Sequence, residues 1–179
     1  MMVLTLSSSM TALQNNYSVE VAMLSIQLPN LTFKLGDFTI PLNNGQFSAS
    51  SGGIRSATLH DRVLFSDFNN DGHPDAAVLL HVVYDGIGYF SNVVFVVFQD
   101  YVKGAIVSNG IHASIATYKI DVFSVDPEGK KIIVGFMDRL PGQPKAAAPS
   151  VPTYMFLQVK NNTLETAEVK TVSKDNYPF

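Results

Sequence analysis

Two runs of apolar residues organise this chain. Ala76-Ala77-Val78-Leu79-Leu80-His81-Val82-Val83-Tyr84 and Phe90-Ser91-Asn92-Val93-Val94-Phe95-Val96-Val97-Phe98 are nearly continuous and rich in β-branched and aromatic side chains. Short unbroken runs of this kind, bounded by turn signals, predict strands buried on both faces. Asp85-Gly86-Ile87-Gly88 between them reads as a turn, so the two form a central hairpin.

Around this hairpin the pattern is one of shorter strands. Leu31 to Pro41 alternates in polarity, Asn43-Asn44-Gly45 is a turn signal, and Gln46 to Ala49 continues as strand. Ser50-Ser51-Gly52-Gly53 is a loop, and Ala57 to Phe65 is a strand leading towards the hairpin. Further on, Tyr118 to Val125 and Lys131 to Met137 flank Asp126-Pro127-Glu128-Gly129, which fits a type I turn. Thr153 to Lys160 and Leu164 to Val172 make a last hairpin around Asn161-Asn162. Residues 17–28 fit either a strand or a short helix, and 101–116 read as strand followed by loop. Prolines at 141, 144, 149 and 152 mark 138–152 as a surface loop. The expected architecture is mainly β, an antiparallel sheet, sandwich or partial barrel with little helix. Residues 17–179 would form a single β-rich domain, and 1–16 a disordered tail or the remnant of a signal peptide, lacking a basic n-region.

Composition narrows the function classes. The chain has 179 residues, is 46% hydrophobic and only 15% charged, which suits one packed domain. Net charge is −3 and the three arginines, Arg55, Arg62 and Arg139, are dispersed, so neither nucleic acid nor anionic lipid is an expected partner. With no cysteine, disulfides and thiolate chemistry are excluded. The longest apolar run, residues 76–84, is about half of a membrane span.

The distinctive chemistry lies just before that run, in Asp67-Phe68-Asn69-Asn70-Asp71-Gly72-His73-Pro74-Asp75. Oxygen-bearing side chains occupy relative positions 1, 3, 5 and 9, with glycine at 6. Calcium takes about six to eight oxygen ligands in loose geometry, and a short loop whose alternate side chains point inward can provide them. Position 7 normally gives a main-chain carbonyl, which makes the carbonyl of His73, not its imidazole, the expected ligand. Gly72 stands where the chain turns sharply, and Pro74 pushes His73 towards an extended conformation that returns Asp75 to the ion. The plainer alternative is a hairpin turn at Asp71-Gly72, which would not require acids or amides at 67, 69 and 75. An EF-hand would carry a bidentate glutamate at position 12, where this chain has Val78, so the loop joins strand to strand.

Ser66 through Val78 resembles the calcium loop of FG-GAP repeats, as in integrin-type β-propellers, where the loop also connects two strands. The resemblance implies Asp67, Asn69, Asp71, the carbonyl of His73 and Asp75 as calcium ligands. One copy of the loop is present, whereas a propeller needs about four blades or more. The chain is also similar to small secreted bacterial proteins of unknown function that carry one such loop before an apolar hairpin. Those often have a cysteine pair where this chain has Lys145-Ala146-Ala147-Ala148-Pro149.

The functional expectation is a calcium-binding extracytoplasmic domain, secreted, periplasmic or on the cell surface, with a binding or structural role. A protein or carbohydrate partner is compatible with it. Tyr84, Tyr89, Phe90 and Tyr101 near the hairpin ends serve core and rim, or a sugar-stacking platform. One alternative is a small hydrolase with structural calcium, using His60 and Asp61 for acid–base chemistry and Arg139 to hold an anion. Another is an inhibitor or adhesin acting through loop 138–152. No G-x-S-x-G, P-loop or Rossmann glycine pattern is present.

Overall fold

A computed structural model describes residues 4–86, 90–100, 102–114, 119–144 and 147–173. The protein is mainly β and its sheets are antiparallel. A helix, α1 (Leu4–Gln27), leads through a 3-10 turn into a short hairpin of β1 (Thr32–Leu35) and β2 (Phe38–Pro41). A six-stranded sheet follows, built from β3 (Gln46–Ser48), β4 (Ile54–Ser66), β5 (Asp75–Tyr84), β6 (Phe90–Asp100), β7 (Gly104–Val107) and β8 (Ile111–Ser114). Its order is β3-β4-β5-β6, with β7 and β8 sharing the outer edge of β6. The last four strands, β9 (Ile120–Val125), β10 (Lys131–Asp138), β11 (Val151–Lys160) and β12 (Thr163–Thr171), form a second sheet in the order β12-β11-β10-β9.

The continuous apolar runs become β5 and β6, and the structure explains why they do not alternate. Side chains point to opposite faces in turn along a strand. Val78 and Leu80 of β5, with Val93 and Phe95 of β6, face a core completed by Leu24 and Leu28 and by Phe33 and Ile40 of the β1–β2 hairpin. Ala77, Leu79, Val94 and Val96 face a second core made with Phe123, Ile132, Val134, Phe136 and Leu157 of the other sheet. The hairpin is therefore the middle of three layers, buried on both sides. Phe33 and Phe95 meet edge to face at 5.0 Å between ring centroids.

The turns follow their residues. Asn44 and Gly45, with φ of 50° and 78°, turn the chain between β2 and β3 and close the Asn43–Gln46 bridge, and Asn161 and Asn162, with φ of 51° and 57°, close the β11–β12 hairpin. Paired positive φ values at asparagine and glycine suit the twist of antiparallel strands.

Helix α1 takes in residues 4–16, so no disordered tail is seen there, and it continues through 17–27, where strand and short helix were both open. No proline interrupts the chain before Pro29, and Leu, Met, Ala and Gln favour helix. The face of α1 carrying Leu24 packs on the core, so tertiary contact supplies what a weak amphipathic pattern did not signal. Within 101–116, the described residues 102–114 contain two strands, β7 and β8, rather than one strand and a loop. Ile87 and Gly88 of the expected turn, Tyr89, Tyr101, Tyr118, Lys145 and Ala146 lie outside the described residues. Among the described residues no helix is long and apolar enough to cross a membrane.

Candidate metal centre

The loop Asp67–Asp75 is closed at its base by the last ladder pair of β4 and β5, Ser66 opposite Asp75. Phe68, second in the loop, turns inward and is 2% exposed, plugging the core between the sheets. With Pro74 also buried, the loop is anchored by two apolar residues while Asp67, Asn69, Asn70 and Asp71 stay above. Asn70 and Gly72 take positive φ, 63° and 88°, which coils the segment tightly.

The polar side chains fold back onto this coil. Oδ1 and Oδ2 of Asp67 accept the backbone N–H groups of Asp71 at 3.0 Å and Gly72 at 3.1 Å. Asn69 Oδ1 accepts the Asp71 N–H at 3.1 Å, and Asp71 Oδ1 accepts that of His73 at 2.9 Å. Asn69 Nδ2 donates to Asp71 Oδ2 at 2.9 Å. Asp75 Oδ2 accepts N–H groups from Phe68 at 2.9 Å and Asn69 at 3.2 Å. The side-chain oxygens of Asp67, Asn69, Asp71 and Asp75 are thus each tied to backbone amides of the same short loop.

Asp75 is the exceptional member. It is 0% exposed, and its Oδ1 has no hydrogen-bond partner among the described residues. Burial pushes its carboxyl up to about 7, helped by the charges of Asp71 and Asp67 and opposed by the two N–H bonds. A buried carboxylate with an unmatched oxygen beside two like charges is a costly arrangement. A bound divalent cation would relieve both the orphan oxygen and the repulsion.

Among the described residues, no group of three or more His, Cys, Asp and Glu side chains is placed to hold a metal ion. Donor chemistry nonetheless fits a hard cation. A carboxylate has about four lone-pair sites, so Asp67 and Asp71 can hold these N–H groups and still ligate. The side chains of Asp67, Asn69, Asp71 and Asp75 and the carbonyl of His73 would hold calcium, supplying oxygen donors alone.

Other elements grip the loop. From α1, Glu20 Oε2 lies 3.3 Å from His73 Nδ1. Tyr17, one turn earlier, has a phenol whose proton is held more tightly than usual, first by burial and then by the charges of Asp67, Asp75 and Glu20. From the β9–β10 turn, Lys130 Nζ donates to the Asp67 carbonyl at 3.1 Å and to Asn70 Oδ1, and the Gly129 carbonyl accepts from Ser66 Oγ at 2.7 Å. From the β11–β12 turn, Asn162 Oδ1 accepts from Asn69 Nδ2 at 3.3 Å. None of these neighbours was assigned to the site from the sequence, although Gly129 and Asn162 lie in turns that it marked; an i, i+3 spacing such as that of Tyr17 and Glu20 would place two residues on one helix face.

The remaining candidates are less convergent. His60, Asp61 and Arg62 bulge out of β4, where the pairing with β5 slips between Leu59 and Val63. His60 Nδ1 lies 2.6 Å from Asp61 Oδ1 and also faces the Arg62 N–H at 3.1 Å. Both residues line a cavity of about 580 Å³ with Asn44, Gln46, Thr58 and Phe65. Arg139 does not line it. Its guanidinium donates to the carbonyls of Pro144, at 2.9 Å, and Ala147, and so anchors the 138–152 loop. Of the aromatic residues, Tyr84 and Phe90 are half-buried at the hairpin's end. No protein family, curated protein or solved structure matches this chain.

Proposed function

We propose that this protein is a calcium-binding β domain with a binding or structural role, in which the ion stabilises the 67–75 loop. What carries the reading is Asp75: fully buried, with one oxygen unpartnered, at the bottom of a loop that also gathers Asp67, Asn69 and Asp71. Turn formation alone does not require that buried charge. The loop touches α1, the β9–β10 turn and the β11–β12 turn, so an ion there would tie three parts of the fold together.

A structural calcium of modest affinity favours a calcium-rich setting: secreted, periplasmic or at the cell surface. At a Kd of about 0.1 mM and roughly 1 mM calcium, linkage adds about 1.4 kcal/mol to stability. The partner served by the stabilised domain would be protein or carbohydrate. The deciding experiment is a thermal melt in EDTA and in millimolar calcium, magnesium or zinc. A calcium-selective rise of several degrees is expected; equal melts in EDTA and calcium would reduce the loop to a turn.

A further inference from the structure

The cavity of about 580 Å³ beside the bulge of β4 is of the size of small-molecule sites, roughly 300–1,000 Å³, and its described lining includes no residue of the 67–75 loop. One wall is Leu28 and Pro29 at the end of α1, another is the turn at Asn44 and Gly45, and β4 supplies the rest. Backbone bonds tie these walls together. The Gly45 N–H donates to the Pro29 carbonyl at 2.7 Å, and the Leu59 N–H to the Gly45 carbonyl at 2.8 Å. The Asn44 N–H donates to Asn30 Oδ1 at 3.0 Å. The cleft is therefore pre-formed. Its shape depends on the bulge between the pairs Leu59–Leu80 and Val63–Val78, a device that re-aims side chains beside functional sites. His60 and Asp61 line the cleft, whereas Arg62 Nη2 is committed to the Ile120 carbonyl at 2.6 Å.

The lining selects a ligand class. Leu28, Leu59, Val63 and Phe65 belong to the first core or pack on it, and they give the cleft an apolar face. Beside that face stand the amides of Asn44 and Gln46 and the hydroxyl of Thr58, groups that both donate and accept hydrogen bonds. No Lys or Arg is among the described lining residues, so nothing there favours a phosphate or a carboxylate. The Asp61 carboxylate is already paired with His60 at 2.6 Å and its side chain is 90% exposed, so water screens it too strongly to hold a lone ammonium ion well. Mixed donors and acceptors around an apolar face match a sugar ring, with hydroxyls at its edge and C–H groups on its face. A second depression of about 370 Å³, lined by Pro41, Asn43, Phe47 and Ser48, shares Gln46 with the first. Two adjoining depressions joined at one amide suit consecutive units of a chain better than a single small molecule.

We propose that the cleft between the end of α1, β3 and β4 binds a neutral oligosaccharide, one ring lying on Leu59, Val63 and Phe65 and Gln46 contacting two consecutive rings. This names a surface and a ligand class for the binding role proposed above and rests on that role. It does not rest on the calcium ion.

The test is an NMR titration of the isotope-labelled full chain, in millimolar calcium, with maltotriose, cellotriose, mannotriose and N-acetylated chitotriose. Spermidine and a galacturonate trimer serve as cationic and anionic probes. At least one neutral trisaccharide should shift the backbone amides of Asn44, Gly45, Gln46, Thr58 and Asp61. Gln46 and Asp61 are exposed, so their variants keep the fold. Gln46→Ala and Asp61→Ala should each weaken binding on the order of tenfold, and Asp61→Asn, which retains an acceptor, should weaken it less. Sugar binding that shifts other amides and survives Gln46→Ala would overturn the cleft and leave the binding role standing. A response to spermidine alone, lost in Asp61→Asn, would overturn the ligand class in favour of an amine. No response to any of the four sugars would overturn the proposal, while the calcium reading would still be decided by the melts in EDTA and calcium.

Discussion

The backbone N–H of Phe68 donates to Oδ2 of Asp75 at 2.9 Å, so the first inward residue of the loop is held by the last. The phenyl ring of Phe68 fills the core between the sheets while its amide fixes a buried carboxylate. Packing and electrostatics are thus joined in one pair, and removing either partner disturbs the other.

Asp71 is exposed, so its loss tests the site with little damage to the core. Asp71→Ala should abolish the calcium-induced rise in Tm and leave the melt in EDTA within a few degrees of wild type. Differential scanning calorimetry with and without calcium measures both, and a full calcium response in the variant would refute its role as ligand.

Asp75 should make the metal-free protein's stability depend on pH in an unusual direction. Its folded carboxyl is raised to about 7, whereas an unfolded aspartate titrates near 3.9. Between those values the folded state binds more protons, so stability falls as pH rises from about 4 to about 7 and then levels off. The loss is on the order of a few kcal/mol. Asp75→Asn removes the charge and should flatten this profile, raising the metal-free Tm at pH 8. Urea unfolding in EDTA from pH 4.5 to 8.5 checks it; a wild-type slope in Asp75→Asn would refute the assignment.

The same proton competes with the ion. With the Asp75 carboxyl at about 7, apparent calcium affinity should be about tenfold weaker at pH 6 than at pH 8. Calorimetric titration in two buffers of different ionisation enthalpy should also reveal proton release near neutral pH. Affinity constant over this range would remove Asp75 from the ligand set.

Phe68→Ala should cost about 3–5 kcal/mol, the usual penalty for a cavity at a buried phenylalanine. Because the ring anchors the loop, calcium affinity should fall as well. Chemical denaturation measures the first effect and titration of the folded variant the second.

Arg139 is expected to act on the 138–152 loop alone. Arg139→Ala removes the contacts to the carbonyls of Pro144 and Ala147 and should make the loop more susceptible to limited proteolysis. Global stability should change by only about 1 kcal/mol, the scale of one or two exposed hydrogen bonds. Unchanged cleavage would show that the loop is held by other contacts.

The β character, the central hairpin and the loop at 67–75 were legible because each is encoded within a few neighbouring residues. Unbroken apolar runs at 76–84 and 90–98 imply burial on both faces whichever layers cover them. Alternating oxygen donors around Gly72 imply a coil that gathers them. Helix α1 was not legible, since its helicity is decided by packing of Leu24 and Leu28 on a sheet formed later in the chain. The burial of Asp75, and with it the orphan oxygen, is a property of the folded chain and not of the loop's spacing. Glu20, Lys130 and Asn162 reach the loop from 53, 63 and 93 residues away. No local pattern records contacts at such separation. The loop's donors are written in the sequence, but its neighbours and its electrostatics belong to the tertiary structure.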